Sequence, residues 1–148
     1  MKSLIFLISG LFIFIVSPSI SAKNGFDLTN ITIPANQILG GGPPKDGIPA
    51  INQPQFIPAS KTTYLTDQDQ VISFSTPALT KAYPFRILIW HEIVNDTIGD
   101  KKIAVTYCPL CGTAMIFDRD IGSKPLIFGV SGLLYQSNML LYDRQTQS

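Results

Sequence analysis

From Tyr64 onward, the chain consists of short apolar runs separated by turn-forming and charged residues. The runs are rich in β-branched and aromatic residues, as is typical of β-strands joined by tight turns. No amphipathic segment of about ten residues or more lies between them, which favours a mainly β fold with short strands, with a β-rich α+β fold as the alternative. The predicted strands are Val71 to Phe74, Phe85 to Trp90, Ile103 to Tyr107, Ala114 to Phe117, Leu126 to Val130 and Met139 to Tyr142.

Two connections between these runs have patterns of their own. Thr76 to Ala82 carries a proline at its second position, which predicts a turn or a one-turn helix. Asn95 to Lys102 carries the charges of a hairpin-like connection. The strand that follows it should run directly into the first cysteine, Cys108.

Residues 23–63 differ from the rest because glycine and proline are dense in them, as in Gly40 to Pro44. Few helices or central strands tolerate that density. Large apolar residues still recur there, so we expect an irregular arm packed on a β-rich domain at 64–148 and not a disordered linker. The expected anchors are Ile31, Ile33, Ile38, Leu39, Ile48, Ile51, Phe56 and Ile57.

The N-terminus has the layout of a secretory signal peptide. Lys2 precedes an uncharged run from Leu4 to Val16, and small residues with one proline follow from Ser17 to Ala22. The run is shorter than the roughly 18 to 20 residues that span a bilayer, which favours cleavage near Ala22 over an uncleaved N-terminal anchor. We therefore expect residues 1–22 to be removed and one periplasmic or secreted domain to remain.

The charge and the cysteine content of the chain exclude several classes of partner and site. The formal net charge is +1 and no stripe of Lys and Arg is present, so we expect no nucleic-acid partner and no membrane binding beyond the N-terminal segment. The chain has two cysteines, too few and too close together for the disulfide framework of a small secreted domain. The candidate chemistry is therefore centred on one motif.

That motif is Cys-Pro-Leu-Cys-Gly at positions 108–112. Its spacing lets both sulfurs approach one atom, the proline fixes φ, and the glycine permits a left-handed turn. A zinc ribbon would need a second cysteine pair, which the chain lacks. His91, its only histidine, is the candidate third ligand. Two thiolates and an imidazole suit zinc or copper, so metal binding by Cys108, Cys111 and His91 is the leading hypothesis.

The same cysteines suit thiol–disulfide exchange, with Cys108 as the attacking and Cys111 as the resolving group. A thioredoxin-like fold is disfavoured because too few residues follow Cys111 for its helix and remaining strands. A third hypothesis is an inert disulfide in a structural or surface interaction module. The residues alone leave all three open.

Two pairs of adjacent charged residues are further candidates for catalytic groups. Asp118-Arg119 and Asp143-Arg144 each end a predicted strand and could gather at one rim for acid or base chemistry, although rim ion pairs are commoner. Ser131 lacks the Gly-x-Ser-x-Gly spacing, so a serine hydrolase is disfavoured. The catalytic candidates are Cys108, Cys111, His91, Glu92, Asp143 and Arg144.

Four segments, at 41–51, 82–96, 105–113 (VTYCPLCGT) and 128–146 (FGVSGLLYQSNMLLYDRQT), resemble in the same order the prokaryotic family called domain of unknown function thirty-one seventy-nine. The resemblance implies an exported or membrane-anchored protein and assigns no reaction. It also implies a pattern that continues past this chain, so we expect the domain to be incomplete at its C-terminus. The positions it points to are Asp46, His91, Glu92, Asn95, Asp96, Cys108, Cys111, Ser131, Asp143 and Arg144.

Overall fold

The structure is a computed structural model that describes residues 22–122 and 124–148. It is mainly β, as predicted, with several small antiparallel sheets and, within the described ranges, one α-helix, α1 (Phe85–His91). The predicted signal peptide lies outside these ranges, except for Ala22. The strands are β1 (Ala22–Lys23), β2 (Phe26–Asp27), β3 (Leu39–Gly40), β4 (Val71–Ser75), β5 (Thr80–Pro84), β6 (Ile93–Ile98), β7 (Lys101–Cys108), β8 (Thr113–Asp118), β9 (Phe128–Tyr135) and β10 (Asn138–Asp143).

The sheet that carries the cysteines has the strand order β6-β7-β8. Ile93 of β6 lies opposite Thr106 of β7, and Cys108 at the end of β7 lies opposite Thr113 of β8. Side chains alternate between the two faces of a strand. Val105 and its alternate neighbours on β7 therefore pack on one side, in a cluster with α1 and β5, while Cys108 packs on the other side.

The Gly/Pro-rich arm covers the outer edge of this sheet at β6. The backbone N–H of Ile51 donates to the carbonyl of Ile93 at 2.9 Å, and the carbonyl of Ile51 accepts from the N–H of Asn95 at 2.8 Å. Ile51 therefore supplies, as an isolated bridge, the hydrogen bonds that another strand would make.

A second sheet with the order β10-β9-β3 packs against the first. The contact is an apolar cluster of Ile93, Cys108, Val130 and Met139, all buried. The first cysteine of the motif thus lies at the interface between the two sheets.

The strand predicted at Phe85 to Trp90 is wrong, because these residues form α1. Leu88 is 1% exposed while Trp90 is 71% exposed, and Phe85 packs beside Leu88 in the core, which is the spacing of a helix face. Pro84 precedes the first turn, where a missing N–H costs no helical bond. A short continuous apolar run is compatible with either a buried strand or a helix. In this run the helix forms because it buries Phe85 and Leu88 on one face.

Two predicted connections are shorter than expected. The turn predicted from Thr76 ends early, since β5 begins at Thr80 and pairs with β4. The connection predicted from Asn95 to Lys102 is largely strand, because β6 extends to Ile98 and β7 begins at Lys101. In the second connection, Asn95 and Asp96 form hydrogen bonds inside the fold, which the charge pattern does not reveal.

The arm at 23–63 contains short strands and two 3-10 helices, Ala35–Gln37 and Ala59–Lys61. Of its expected anchors, Ile38 is 1% exposed, whereas Leu39 and Ile57 are 60% and 55% exposed. Within the described part of the chain, no helix has the length and apolarity needed to cross a membrane.

Candidate functional site

The turn between β7 and β8 holds both cysteines. The carbonyl of Cys108 accepts the backbone N–H groups of Cys111 at 3.2 Å and of Gly112 at 2.9 Å, which closes the turn. Gly112 has a φ of 65°, a left-handed conformation that a residue without a Cβ adopts readily. The two sulfurs are joined as a disulfide, and the Cα atoms of the two cysteines lie 5.2 Å apart.

The two halves of the disulfide differ in exposure. Cys108 is 2% exposed and packs among apolar side chains of both sheets. Cys111 is only partly buried, and its neighbour Leu110 is 72% exposed. A molecule in solution therefore reaches Cys111 more readily than Cys108.

A depression with a volume of about 260 Å³ lies beside Cys111. The two-residue turn between β9 and β10 forms one wall, and its residues Gln136 and Ser137 have positive φ values. The hydroxyl of Thr113 donates to the carbonyl of Ser137 at 2.8 Å and ties this turn to the start of β8. The sequence motif does not reveal this wall, whose residues are remote in sequence. The depression is lined by Leu39, Leu110, Cys111, Leu134, Tyr135, Gln136 and Ser137.

His91 is the last residue of α1, and its ring is partly buried. Its Nδ1 lies 2.8 Å from the carbonyl of Pro49. Because a carbonyl only accepts, the ring donates through Nδ1 and holds the arm at Pro49. Nε2 is then the nitrogen that would act as a ligand or a base.

Glu92 follows in an uncommon backbone conformation, with a φ of 56°. Its N–H donates to the carbonyl of Leu88 at 2.7 Å, and its carbonyl accepts from Tyr107 at 2.9 Å, so it joins the end of α1 to β7. Burial raises the pKa of its carboxyl group.

Across residues 22–122 and 124–148, no three His, Cys, Asp or Glu side chains form a group that could hold a metal ion. In the disulfide, neither sulfur is the thiolate that binds metals. The zinc or copper site predicted from Cys108, Cys111 and His91 therefore stays a prediction about the reduced pair.

Asp46 and Arg144, remote in sequence, form an ion pair at 2.6 Å. The hydroxyl of Tyr142 donates to the other carboxylate oxygen of Asp46, and Nζ of Lys45 lies 4.4 Å from the centroid of the Tyr142 ring. The pKa of Tyr142 is raised to about 12, mainly by burial and to a smaller extent by the hydrogen bond to Asp46. The hydroxyl stays protonated at neutral pH, and the cluster holds the arm on β10.

The other strand-end charges bind the backbone. Asp143 accepts the N–H groups of Ile127 at 3.0 Å and Thr146 at 2.8 Å. Burial raises the pKa of Asp143, but these hydrogen bonds outweigh it and the pKa is lowered. Arg119 is buried and donates to the carbonyls of Ile103 at 2.9 Å and Asp96 at 3.0 Å. Each of these groups has a structural partner.

A family model described as "Protein of unknown function (DUF3179)" matches residues 45–148. The chain belongs to this family. The matched region includes the disulfide, His91 and the ion pair of Asp46 with Arg144. No curated protein and no solved structure matches the chain.

Asp96 and Ser131, to which the resemblance in sequence also points, are buried and serve the core. Asp96 accepts from Nζ of Lys81 at 2.8 Å and from the hydroxyl of Tyr83 at 2.7 Å. The pKa of Tyr83 is raised, mainly by burial and to a smaller extent by its hydrogen bond to Asp96. Ser131 accepts from the N–H of Leu133 at 3.0 Å. Sequence reasoning missed Lys81 and Tyr83 because no motif links them to Asp96.

Proposed function

We propose that this protein is an exported thiol–disulfide exchange protein and that Cys108 and Cys111 are its redox-active pair. The observation that carries the proposal is a disulfide across a turn, with one cysteine buried and the other accessible. Export, expected from the N-terminal sequence, forms part of the proposal because disulfides persist in oxidising compartments.

The bond contributes little to folding. Its cysteines are three positions apart, and a disulfide that closes so short a loop removes little entropy from the unfolded chain. Two backbone hydrogen bonds to the carbonyl of Cys108 already close the turn. A weak structural role leaves redox chemistry as the better explanation of the pair.

Exchange begins when a partner thiolate attacks Sγ of Cys111. The bond between the cysteines breaks, and Sγ of Cys108 leaves with the electron pair and takes a proton from water. A second thiol of the partner loses its proton and attacks the partner's sulfur in the mixed disulfide, and Cys111 leaves as a thiolate and is protonated. The partner has then lost two electrons and two protons and holds a disulfide, and the pair has gained them.

The same steps run in reverse when the reduced pair meets a partner disulfide. The accessible Cys111 is then the attacking group and the buried Cys108 the resolving group. This order is the opposite of the one expected from the sequence, and it follows from exposure, since access is one of the factors that set exchange rates.

The reduction potential tests the proposal. The full chain is equilibrated in glutathione buffers of stepped ratio, the thiols are alkylated, and the oxidised fraction is measured by mass spectrometry. We expect a potential between about −270 and −120 mV, the range of exchange catalysts. A potential below about −300 mV would assign the bond to the structural class and reject the proposal.

Two matched variants test the assigned order. Cys108→Ser leaves Cys111 as the only thiol, and we expect it to form a mixed disulfide rapidly with oxidised glutathione. Cys111→Ser leaves Cys108, and we expect slow reaction because that side chain is 2% exposed. Equal rates, or a faster Cys108, would contradict the order.

Metal binding by the reduced pair is the alternative function. Zinc or copper(I) added to the reduced chain, followed by removal of free metal and mass spectrometry, measures it directly. Stoichiometric metal that is lost in both Cys108→Ser and His91→Ala would support a site of two thiolates and an imidazole.

A further inference from the structure

The strand that follows the disulfide forms an edge of its sheet. β8 begins two residues after Cys111 and pairs with β7 on one side. At the opposite edge, the bridge from Ile51 to Val94 covers β6. No strand or bridge of the described chain occupies the outer side of β8. The accessible cysteine therefore adjoins an open strand edge.

The backbone register shows which groups this edge presents. Tyr107 of β7 donates to Glu92 on the β6 side, whereas the N–H of Arg119 donates to Lys102 from the β8 side. Successive residues of an antiparallel strand bond to alternate sides. Even-numbered residues of β7 therefore bond to β8, where their partners are Thr113, Met115 and Phe117. The N–H and C=O groups of Ala114, Ile116 and Asp118 point outward.

The part of this edge nearest Cys111 lacks the features that usually prevent strand addition. Natural edges are protected by charged side chains, proline, bulges or a covering segment. Residues 113–117 contain no charge and no proline, their pairing with β7 is regular, and Ala114 and Met115 are exposed. The one charge of β8, the exposed Asp118, lies at the end of the strand away from Cys111. An open edge that is uncharged over the five residues nearest a reactive group is suited to pairing with an extended chain.

We propose that the outer edge of β8 binds an extended segment of a partner polypeptide by strand addition and thereby brings a partner cysteine to Cys111. The inference rests on the proposed exchange function and names its substrate class. Backbone pairing would supply affinity with little dependence on sequence. The depression beside Cys111, which has both leucines and polar groups in its lining, would take a side chain near the partner's cysteine.

The test compares two peptides on the Cys108→Ser chain, in which Cys111 is the only thiol. Each peptide carries one cysteine as a mixed disulfide with the same small thiol, flanked by Val and Thr residues. The second peptide is N-methylated at alternate residues, so it keeps its side chains but cannot pair as a strand. We expect the unmodified peptide to couple to Cys111 on the order of tenfold faster, the effect of losing one or two hydrogen bonds.

A matched pair of variants tests the edge itself. Ala114→Pro removes an outward N–H without removing a hydrogen bond to β7, whereas Ala114→Ser alters the side chain and keeps that N–H. We expect Ala114→Pro to abolish the difference between the peptides and Ala114→Ser to preserve it. The peptide comparison on the otherwise unchanged edge still decides the proposal if Ala114→Pro does not fold.

Oxidised glutathione distinguishes a failure of the docking edge from a failure of the exchange function. It can react with Cys111 but is too short to add to β8 as a strand of several residues. Coupling of glutathione together with equal rates for both peptides would overturn the docking edge and leave exchange standing. No coupling of glutathione or of either peptide would overturn both. A dimer of the chain in sedimentation that Ala114→Pro disrupts would assign the edge to a second copy and overturn the partner segment.

Discussion

Asn95 and Phe128 are joined by two hydrogen bonds that resemble those between neighbouring strands. Nδ2 of Asn95 donates to the carbonyl of Phe128 at 2.8 Å, and the N–H of Phe128 donates to Oδ1 of Asn95 at 3.0 Å. Asn95 is 3% exposed. Because β6 and β9 belong to different sheets, one side-chain amide connects the two sheets whose interface buries Cys108.

We expect Asn95→Ala to destabilise the fold by about 2 to 3 kcal/mol, because it leaves the N–H and the carbonyl of Phe128 without partners. Asn52→Ala is the control, since the exposed Asn52 only accepts one hydrogen bond from Asn95 and should cost about 1 kcal/mol or less. Urea denaturation of the oxidised chains measures both. Equal losses would show that the bonds to Phe128 contribute nothing beyond the bond to Asn52.

Removing the cation should destabilise the fold more in the ion pair of Lys81 with Asp96 than in the pair of Arg86 with Asp69, whose cation is more exposed. The side chains of Lys81 and Asp96 are 15% and 7% exposed, whereas those of Arg86 and Asp69 are 56% and 16% exposed. Lys81→Met leaves a buried carboxylate without its cation and should cost about 3 kcal/mol. Arg86→Met should cost about 1 kcal/mol or less. Similar losses in thermal denaturation would contradict the assigned difference in burial.

Alanine substitutions at two glycines should distinguish the cost of backbone strain from the cost of a steric clash. Gly112 and Gly132 both have positive φ, but a Cβ at Gly112 meets no heavy atom within 4 Å, whereas one at Gly132 collides with the carbonyl oxygen of Pro43. Gly112→Ala should cost about 1 to 2 kcal/mol from the left-handed conformation alone. Gly132→Ala should cost more than about 3 kcal/mol, because the arm must move away from β9. Denaturant midpoints that rank the variants in the other order would refute this.

Glu92→Gln should stabilise the protein at neutral pH. Burial raises the pKa of Glu92 in the folded state, so its charged form opposes folding above that pKa and the opposition is lost below the unfolded value of about 4.3. The variant's advantage should therefore be present at pH 7 and vanish below about pH 4. A variant less stable than the native chain at pH 7 would mean that the charge makes a favourable contact.

His91 should be a positioning residue for the arm in the oxidised protein. His91→Ala removes the hydrogen bond to Pro49 and should cost about 1 kcal/mol, while the reduction potential stays unchanged. His91→Asn keeps a donor on a shorter side chain and should recover part of the loss. A potential that shifts with both His91→Ala and His91→Asn would place the imidazole in the redox site.

Prediction from sequence succeeded where the signal is local. Val71 to Phe74 and Ala114 to Phe117 are strands as predicted, within a residue or two at their ends, because β-branched and aromatic runs between turn residues suit a pleated surface. It failed at Phe85 to Trp90, where the same composition forms α1. That choice depends on which side chains the rest of the chain buries.

The sequence by itself determined the β-rich class, the position of the Cys-x-x-Cys motif at Cys108 and Cys111, and the left-handed turn at Gly112, since each follows from residue type and short-range spacing. Tertiary structure alone decided which cysteine is buried, because packing of Val130 and Met139 from a distant hairpin covers Cys108. It also decided that, among the described residues, no strand pairs with the outer side of β8. Exposure and edge position depend on contacts between remote segments, and no local pattern encodes them.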